Sequence, residues 1–380
     1  MKYTEVKGVG CNNKGAYLLL RTVMQWGEGQ GNHVSELAAD FRALSASQAR
    51  NMGIKRLTWA YFKSYQWPGQ VLNALICLVP SWLRRKYDLV TDREIQLVLD
   101  ASGFLYSDQW GSAGAERLVM DMERRKKRGI KYILLPQAFG PFSNSRTVRA
   151  MQYIAEHADL IYARDRVSYE HLNEIGAVND RVKISPDITI GLVPESNVAR
   201  QMPGDTAIIP NVRMLDKGKD SEKYYPYLHN AIKELRKAGF NPFFLIHEAG
   251  DVKIAEEINE QIDAPLEIVA EDDPVVLKTI IRDLRLVVGS RFHGLVSGLS
   301  QSVPCLAVGW SHKYEMLFED FGVPDKILTL DNDVEFAKQI DMLKDREYYS
   351  ACKKEIEQHA LQLKKQVAEM WNEIEACINE

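Results

Sequence analysis

The chain has 380 residues, of which 46% are hydrophobic and 26% are charged, with 48 Lys and Arg against 52 Asp and Glu. This length predicts two compact domains, and the ordinary composition argues against a disordered or low-complexity chain. The net charge of −4 has the wrong sign for a protein that binds nucleic acid through its phosphates. We therefore expect no nucleic-acid partner.

The sequence begins MKYTEVKGVG, with charged residues where an export signal would have its apolar core. The five cysteines form no C-x-x-C pair. No apolar run reaches the roughly 20 residues that a membrane-spanning helix needs. We therefore expect a cytoplasmic protein with reduced thiols, and any contact with the inner face of the membrane would be peripheral.

Short apolar runs alternate with longer amphipathic stretches along the chain, which predicts βαβ units and parallel sheets. The expected strands of the first half lie at 3–9, 96–101, 131–135, 159–163 and 182–185. After an aperiodic stretch at 193–205, further strands are expected at 207–210, 243–247, 286–289 and 305–308. The pattern predicts an α/β protein with a domain over 1–195, a second over 205–345 and a helix over 346–380.

The last helix carries one apolar stripe with helical periodicity. The stripe consists of Cys352, Ile356, Leu363, Val367, Met370, Ile374 and Cys377. Such a helix can pack back onto the first domain. The alternative is a dimerisation helix, so a homodimer remains open.

The loop after the first strand resembles a phosphate-binding loop only in its glycine spacing. Gly10 and Gly15 have the Walker separation, but Ala16 and Tyr17 stand where Lys and Ser/Thr would be needed. The turn still leads into a helix, whose first N–H groups favour an anion. We expect Gly10 and Asn13 to lie at the edge of the substrate. A tight βα turn without a ligand is the alternative.

Two polar runs are better explained by structure than by chemistry. Asp331 and Asp333 imitate a D-x-D metal motif but follow a strand-like run, as a solvated turn does, so we expect no metal. Basic residues at 124–128 precede Gly129, where they meet the negative end of a helix dipole.

The segment 54–87 has six basic residues and no acidic one. It also contains aromatic residues, among them Trp59, Trp67 and Trp82. This combination suits a membrane interface, a lipid-linked ligand or stacking on sugar rings. The alternative is an inserted helical pair that packs on the core and turns its basic face outward.

The second half contains the pattern most typical of a ligand site, LRLVVGSRFHGLVSGLS at 284–300. A buried strand ends at Ser290, and Arg291 and His293 then stand at the start of a helix. Ligands of open α/β sheets bind beyond the carboxyl ends of the strands. Arg provides a fork that matches phosphate or carboxylate, and His exchanges a proton near neutral pH.

These motifs resemble those of the polysaccharide pyruvyl transferase family. S-R-F-H-G at 290–294, S-Q-S-V-P at 300–304 and G-W-S-H-K at 309–313 resemble its carboxyl half. A-R-D at 163–165 with Ser168, Leu172 and Gly176, then S-P-D at 185–187, resembles its central segment. P-Q at 136–137 with F-G-P-F at 139–142, and the loop at Gly10 and Asn13, complete the resemblance over most of the chain. The glycine run after Asp100 is shorter than is usual in the family.

The resemblance implies a GT-B-like fold of two Rossmann-like domains with the active cleft between them. The first domain, with the insertion 54–87, would bind the acceptor and the second would bind the donor. Such enzymes move the pyruvyl group of phosphoenolpyruvate onto two hydroxyls of one sugar, which leaves a pyruvate ketal and phosphate. The acceptor would be a cell-surface polysaccharide or its lipid-linked precursor, and no cofactor is required.

The chemistry assigns roles to the matching residues. Phosphoenolpyruvate carries a phosphate and a carboxylate, so its site needs several cations. The expected donor-binding residues are Arg164, Arg291, Lys313 and Ser290. His293 is the expected general acid, and Asp100 or Asp165 could be the base toward the acceptor. Asp165 could instead hold Arg164 through an ion pair.

Two other functions remain open from the sequence. A GT-B glycosyltransferase with a nucleotide-sugar donor would use the same cations for a diphosphate. A non-catalytic sugar-binding protein could keep the fold without the activity, although the presence of Arg164, Arg291 and His293 argues against it.

Overall fold

The computed structural model describes residues 2–29, 36–58, 75–194, 202–217, 221–309 and 311–380. Residues 59–74, which include Trp59 and Trp67 of the insertion, and Trp310 of the G-W-S-H-K motif lie outside the described residues. The chain divides into two compact units, 1–188 with 366–380 and 189–365.

The first unit is built around a twisted sheet in which the strand pairs are parallel. Its described strands are β1 (Tyr3–Lys7), β2 (Leu37–Asp40), β3 (Lys55–Leu57), β4 (Leu89–Val90), β5 (Ile95–Asp100), β6 (Lys131–Gln137), β7 (Leu160–Ala163) and β8 (Val182–Ile184). They lie in the order β4-β3-β2-β1-β5-β6-β7-β8. The chain thus winds to both sides of β1, and the switch point lies between β1 and β5.

Helices cover both faces of this sheet. The described helices of the unit that precede its last strand are α1 (Lys14–Gly29), α2 (Ala46–Asn51), α3 (Ser81–Lys86), α4 (Ala113–Lys126), α5 (Ser145–His157) and α6 (Arg166–Glu174). Side chains of β1 alternate between two cores, since Tyr3 packs with Tyr132 on one face and Val6 packs with Leu99 on the other. A parallel sheet buried on both faces explains why its strands are apolar runs.

One face of the sheet also holds a buried ionic network. Arg125 of α4 is almost completely buried and contacts Glu5, Asp92 and Asp121. Burial disfavours the charge of Asp121, but Lys7 and Arg125 outweigh it and hold the pKa of this carboxyl well below its usual range. The basic end of α4 therefore does more than meet the helix dipole.

The second unit contains a smaller parallel sheet. Its described strands are β9 (Thr206–Ile209), β10 (Pro242–Ile246), β11 (Ile268–Ala270), β12 (Leu286–Gly289) and β13 (Cys305–Ala307), in the order β11-β10-β9-β12-β13. Its described helices are α7 (Arg213–Lys217), α8 (Tyr224–Lys237), α9 (Val252–Asn259), α10 (Pro274–Arg282), α11 (Phe292–Leu299), α12 (His312–Asp320) and α13 (Asp333–Lys344). The switch point of this sheet lies between β9 and β12.

Close packing of α11 requires its glycines. A Cβ atom on Gly298 would come within 2.6 Å of Cys305 Sγ, and one on Gly294 within 3.0 Å of Ile209. The small residues that follow His293 in sequence thus let α11 lie directly on β9, β12 and β13.

The last helix, α14 (Arg346–Asn379), contributes to the cores of both units. Cys352, Ile356 and Leu363 belong to the core of the second unit, whereas Val367 and Met370 belong to a core of the first. Trp371 stacks on Trp26 of α1 with ring centroids 4.4 Å apart. The apolar stripe is therefore covered within the chain, and the homodimer stays a prediction.

The fold class is an α/β fold with two parallel sheets, as predicted. Among the helices of the described residues, none is long and apolar enough to cross a membrane.

Candidate functional site

In the second unit, the predicted motif lies at the switch point of the sheet. Ser290 and Arg291 follow β12 directly, and Arg291 is the N-cap residue of α11. Asn211 follows the neighbouring strand β9, and its side-chain amide donates a 2.6 Å hydrogen bond to the carbonyl oxygen of Ser290. The ends of β9 and β12 are thus joined where open α/β sheets bind ligands.

Ser290 is surrounded by structural partners. Its hydroxyl lies 2.6 Å from the hydroxyl of Tyr224, and its carbonyl oxygen also accepts a 2.9 Å hydrogen bond from Tyr314. The residue is 1% exposed. These contacts fix the backbone that carries Arg291, and the direct donor contact expected of Ser290 stays a prediction.

Arg291 is held by two carboxylates. Its Nε and Nη2 atoms donate to Asp251 at 2.8 and 2.5 Å, and Nη1 lies 2.8 Å from Glu248. Burial disfavours the charge, but the hydrogen bonds to Asp251 outweigh it and raise the pKa of Arg291. The guanidinium is therefore permanently charged and fixed in orientation.

His293 and Lys313 gather around the same aromatic ring. The ring of His293 meets Phe292 edge to face with centroids 5.4 Å apart, and the side chain is partly exposed. The ammonium of Lys313 lies 5.3 Å from the centroid of Phe292 and 5.3 Å from that of Tyr314. The structure thus groups three of the predicted donor-site residues, Arg291, His293 and Lys313, near the N-terminus of α11.

Sequence reasoning missed the residues supplied by the end of β10. His247 follows this strand, and its Nε2 atom would lie 3.2 Å from a Cβ on Gly294 in the first turn of α11. Glu248 and Asp251 follow in the next turn. The available signal was the run H-E-A-G-D at 247–251, which begins at the last residue of the expected strand 243–247.

In the first unit, Asp100 ends β5 beside the switch point. Its Oδ1 accepts hydrogen bonds from the backbone N and hydroxyl of Ser102 at 3.0 and 2.5 Å, and its Oδ2 accepts one from Tyr106 at 2.6 Å. Burial and then Asp100 raise the pKa of Tyr106. Asp100 thus organises its own loop, and a role as base stays a prediction.

Arg164 and Asp165 follow β7 but do not pair with each other. Arg164 Nη1 lies 3.3 Å from Asp187 Oδ2, and both side chains are buried. Asp165 caps α6 by accepting a 2.7 Å hydrogen bond from the backbone N of Ser168. The expected ion pair between Asp165 and Arg164 is therefore wrong, because Asp165 is turned toward its own helix and Asp187 takes that place.

The loop after β1 is a capping turn. Asn13 Oδ1 accepts a 3.1 Å hydrogen bond from the backbone N of Ala16 at the start of α1. Gly8, with φ of 75°, approaches the loop after β5 so closely that a Cβ would lie 2.3 Å from Ser102 Cα. The loop thus has the geometry of the βα turn, and contact of Gly10 and Asn13 with a substrate stays a prediction.

The D-x-D run is part of another helix cap. Asn332 Oδ1 accepts a hydrogen bond from the backbone N of Glu335, and Asp331 lies 3.1 Å from Lys223 Nζ. Across the described ranges of the chain, no group of three or more His, Cys, Asp and Glu side chains is placed to hold a metal ion.

Solved proteins of the same architecture have GT-B-type folds. The structure of Anabaena Alr3699/HepE in complex with UDP has a TM-score of 0.59 at 13% identity and covers 98% of this chain and 100% of that chain. A putative UDP-N-acetylglucosamine 2-epimerase from Listeria monocytogenes has a TM-score of 0.60 at 11% identity, covering 94% and 90%. At such identities the likeness shows the fold alone, and the chain has a GT-B-like fold, as predicted.

The family follows from the sequence itself. The model of the polysaccharide pyruvyl transferase family matches residues 13–312, well over half of the chain. The chain belongs to this family, and it is accordingly a pyruvyl transferase that acts on polysaccharide.

Proposed function

We propose that the protein transfers the pyruvyl group of phosphoenolpyruvate onto two hydroxyls of one sugar, in a capsule or another cell-surface polysaccharide or in its lipid-linked precursor. The observation that supports this donor is the group of Arg291, His293 and Lys313 around Phe292 at the carboxyl end of β12. Phosphoenolpyruvate carries two anionic groups and a carbon that must be protonated, and these three side chains meet both needs.

The transfer balances without water or an oxidant. A proton adds to the methylene carbon of phosphoenolpyruvate, and the first sugar hydroxyl attacks the cationic carbon and loses its proton. The C–O bond to phosphate then breaks, and the second hydroxyl attacks the same carbon and loses its proton. The two hydroxyls release two protons. One makes up for the proton that the methylene carbon took up to become a methyl group, and the other leaves with the phosphate.

In this proposal each predicted residue has one role. His293 is the general acid, and Arg164, Arg291 and Lys313 neutralise the donor, with Ser290 at its edge. Asp100 or Asp165 accepts a proton on the acceptor side. The loop at Gly10 and Asn13 contacts the substrate edge, and neither a metal nor a cofactor takes part.

The alternative donor is a nucleotide sugar. It is supported by the likeness to Alr3699/HepE, whose structure contains UDP, and by the fit of guanidinium and ammonium groups to a diphosphate. Two points favour phosphoenolpyruvate over a nucleotide sugar. The chain belongs to the pyruvyl transferase family, and phosphoenolpyruvate needs both cations and a proton donor at its site.

Ligand-induced stabilisation separates the two donors. Phosphoenolpyruvate is expected to raise the melting temperature in EDTA, because the site neutralises its anions with side chains; at a concentration 100 times Kd the stabilisation is about 2.7 kcal/mol. Thermal shift with phosphoenolpyruvate, UDP and UDP-sugars measures this. If the UDP ligands stabilise the protein and phosphoenolpyruvate does not, the alternative donor is the right one.

We further propose that the segment 54–87 contacts a membrane surface that carries the acceptor. In its described part, Leu78 and Trp82 are 79% and 69% exposed, and Arg85 and Lys86 of α3 are also exposed. Apolar and basic side chains on one short stretch suit an anionic lipid interface. Arg84 is excluded from this surface because it is paired with Glu94.

Sedimentation with vesicles tests this contact. Changing Trp82, Arg85 and Lys86 together to Ser is expected to reduce cosedimentation with vesicles that contain phosphatidylglycerol, since about 1 kcal/mol is lost for each basic residue. Changing Lys353 and Lys354 of α14 to Ser alters exposed charge elsewhere and is expected to have little effect. Equal sedimentation of all three proteins, or none by the wild type, would show that the segment does not bind lipid.

A further inference from the structure

The two carboxylates that contact Arg291 carry more charge than its guanidinium does. One guanidinium faces two carboxylates, with Asp251 at 2.5 and 2.8 Å and Glu248 at 2.8 Å. An anion that approaches this guanidinium is therefore attracted by one positive charge and repelled by two negative charges. An anionic donor therefore gains the full attraction of Arg291 only when one of the carboxylates is displaced.

The two carboxylates are held very differently. The Asp251 side chain is 0% exposed and also accepts hydrogen bonds from the backbone N of Val212 at 3.0 Å and of Glu248 at 3.1 Å. It thereby ties together the segments that follow β9, β10 and β12. Removing it would leave several buried donors without an acceptor, which is costly.

Glu248 is the carboxylate that can leave. Its side chain is 20% exposed and meets the guanidinium at the outer nitrogen, Nη1. It also caps the short turn Ala249–Asp251 by accepting a hydrogen bond from the backbone N of Asp251. A carboxylate at the solvent boundary regains water when it moves, so its displacement costs far less than that of Asp251.

We propose that Glu248 is a displaceable counter-ion of the donor site. An anionic oxygen of the donor replaces it at Nη1 of Arg291, while Asp251 stays in place as the positioning residue that fixes the Nε and Nη2 edge. When phosphate is released, Glu248 returns to Nη1. This inference rests on the proposed function, since it concerns the same donor site.

The counter-ion explains how a buried arginine can bind and release anions. Without a donor, Glu248 shields the guanidinium and keeps it from holding inorganic phosphate. With a donor, Lys313 near Phe292 and the N-terminus of α11 add to the attraction and make the exchange favourable. Glu248 therefore weakens the binding of every anion at this point and speeds product release.

Glu248→Gln tests the proposal because glutamine keeps the capping acceptor and removes the charge. The variant is expected to bind phosphoenolpyruvate and inorganic phosphate about 3- to 10-fold more tightly, the effect of one partly exposed charge. Its KM and kcat are both expected to fall, because phosphate leaves more slowly. Glu256→Gln, an exposed carboxylate of α9, makes the same charge change away from Arg291 and is expected to leave both constants unchanged.

Calorimetric titration of phosphoenolpyruvate, inorganic phosphate and UDP into the wild type and both variants decides the question. Tighter anion binding by Glu248→Gln alone supports the displaceable counter-ion. Unchanged or weaker binding by Glu248→Gln, or an equal gain in Glu256→Gln, overturns it. If UDP binds and phosphoenolpyruvate does not, the proposed donor is wrong. In that case tighter UDP binding by Glu248→Gln alone still supports the displaceable counter-ion, and unchanged or weaker UDP binding overturns it.

Asp251→Asn is a second variant, in which the affinity for phosphoenolpyruvate is expected to change in the opposite direction. Because Asp251 orients the guanidinium, its loss is expected to weaken phosphoenolpyruvate binding at least about 10-fold, as for a charge-assisted hydrogen bond. Circular dichroism confirms that the variant is folded. If a folded Asp251→Asn binds phosphoenolpyruvate more tightly than the wild type does, the division of roles between the two carboxylates is wrong.

Discussion

His293→Ala is expected to lower turnover by about 10²- to 10⁴-fold, the usual contribution of a positioned general acid. Donor affinity should change much less, because the anion is also held by guanidinium and ammonium groups. The position of His293 in the first turn of α11, partly exposed and next to Phe292, places a proton donor beside these cations.

Steady-state kinetics with saturating phosphoenolpyruvate measures turnover, and calorimetry measures donor affinity. His229→Ala changes a partly exposed histidine of α8 that contacts Gln261; it is the matched control and should leave both constants unchanged. If His293→Ala keeps its turnover but loses affinity at least tenfold, His293 is a binding residue. The proton donor would then have to be sought at Asp100 or Asp165.

Arg125→Met is expected to lower the free energy of unfolding by about 3 to 5 kcal/mol, the cost of leaving buried carboxylates without their partner. Arg125 is 1% exposed and is surrounded by Glu5, Asp92 and Asp121. Methionine fills most of the space, so the loss reports the charge. Denaturant unfolding measures it, and Arg117→Met, an exposed arginine of the same helix, should stay within about 0.5 kcal/mol of the wild type.

The effect should shrink on acidification. The folded pKa of Asp121 is depressed by Lys7 and Arg125 against the effect of burial. Its contribution to stability is therefore present above the unfolded pKa of about 3.9 and is lost as pH falls toward the folded value. If Arg125→Met is as stable as the wild type at neutral pH, the network does not stabilise the first unit.

The sequence predicts the long strands and the strand ends that carry the site residues. The runs at 96–101, 131–135 and 286–289 became β5, β6 and β12 because a sheet buried on both faces makes its central strands continuous apolar segments. The short strands on one side of the first sheet were missed. β4 has two residues and β2 reads LAAD, so neither is long or β-branched enough to give a pattern.

The partners of the site residues could not be predicted in the same way. Arg291 meets Asp251 and Arg164 meets Asp187 across 40 and 23 residues of sequence, and such pairs exist only once the strands have their spatial order. Asp100 and Asp165 looked like candidate bases, but the fold uses their oxygens to hold loop and helix N–H and O–H groups. Local sequence identifies which residues reach the sheet edge, and the tertiary fold decides what they contact.

The most direct test of the proposed function is incubation with phosphoenolpyruvate and a panel of free, polymeric and lipid-linked glycosyl acceptors, with the product mass and the phosphate measured together. We expect a product heavier than its acceptor by one pyruvate less one water, one phosphate per product, and no need for a nucleotide. A product heavier by one sugar residue, formed from a nucleotide sugar while phosphoenolpyruvate is not consumed, would contradict the account.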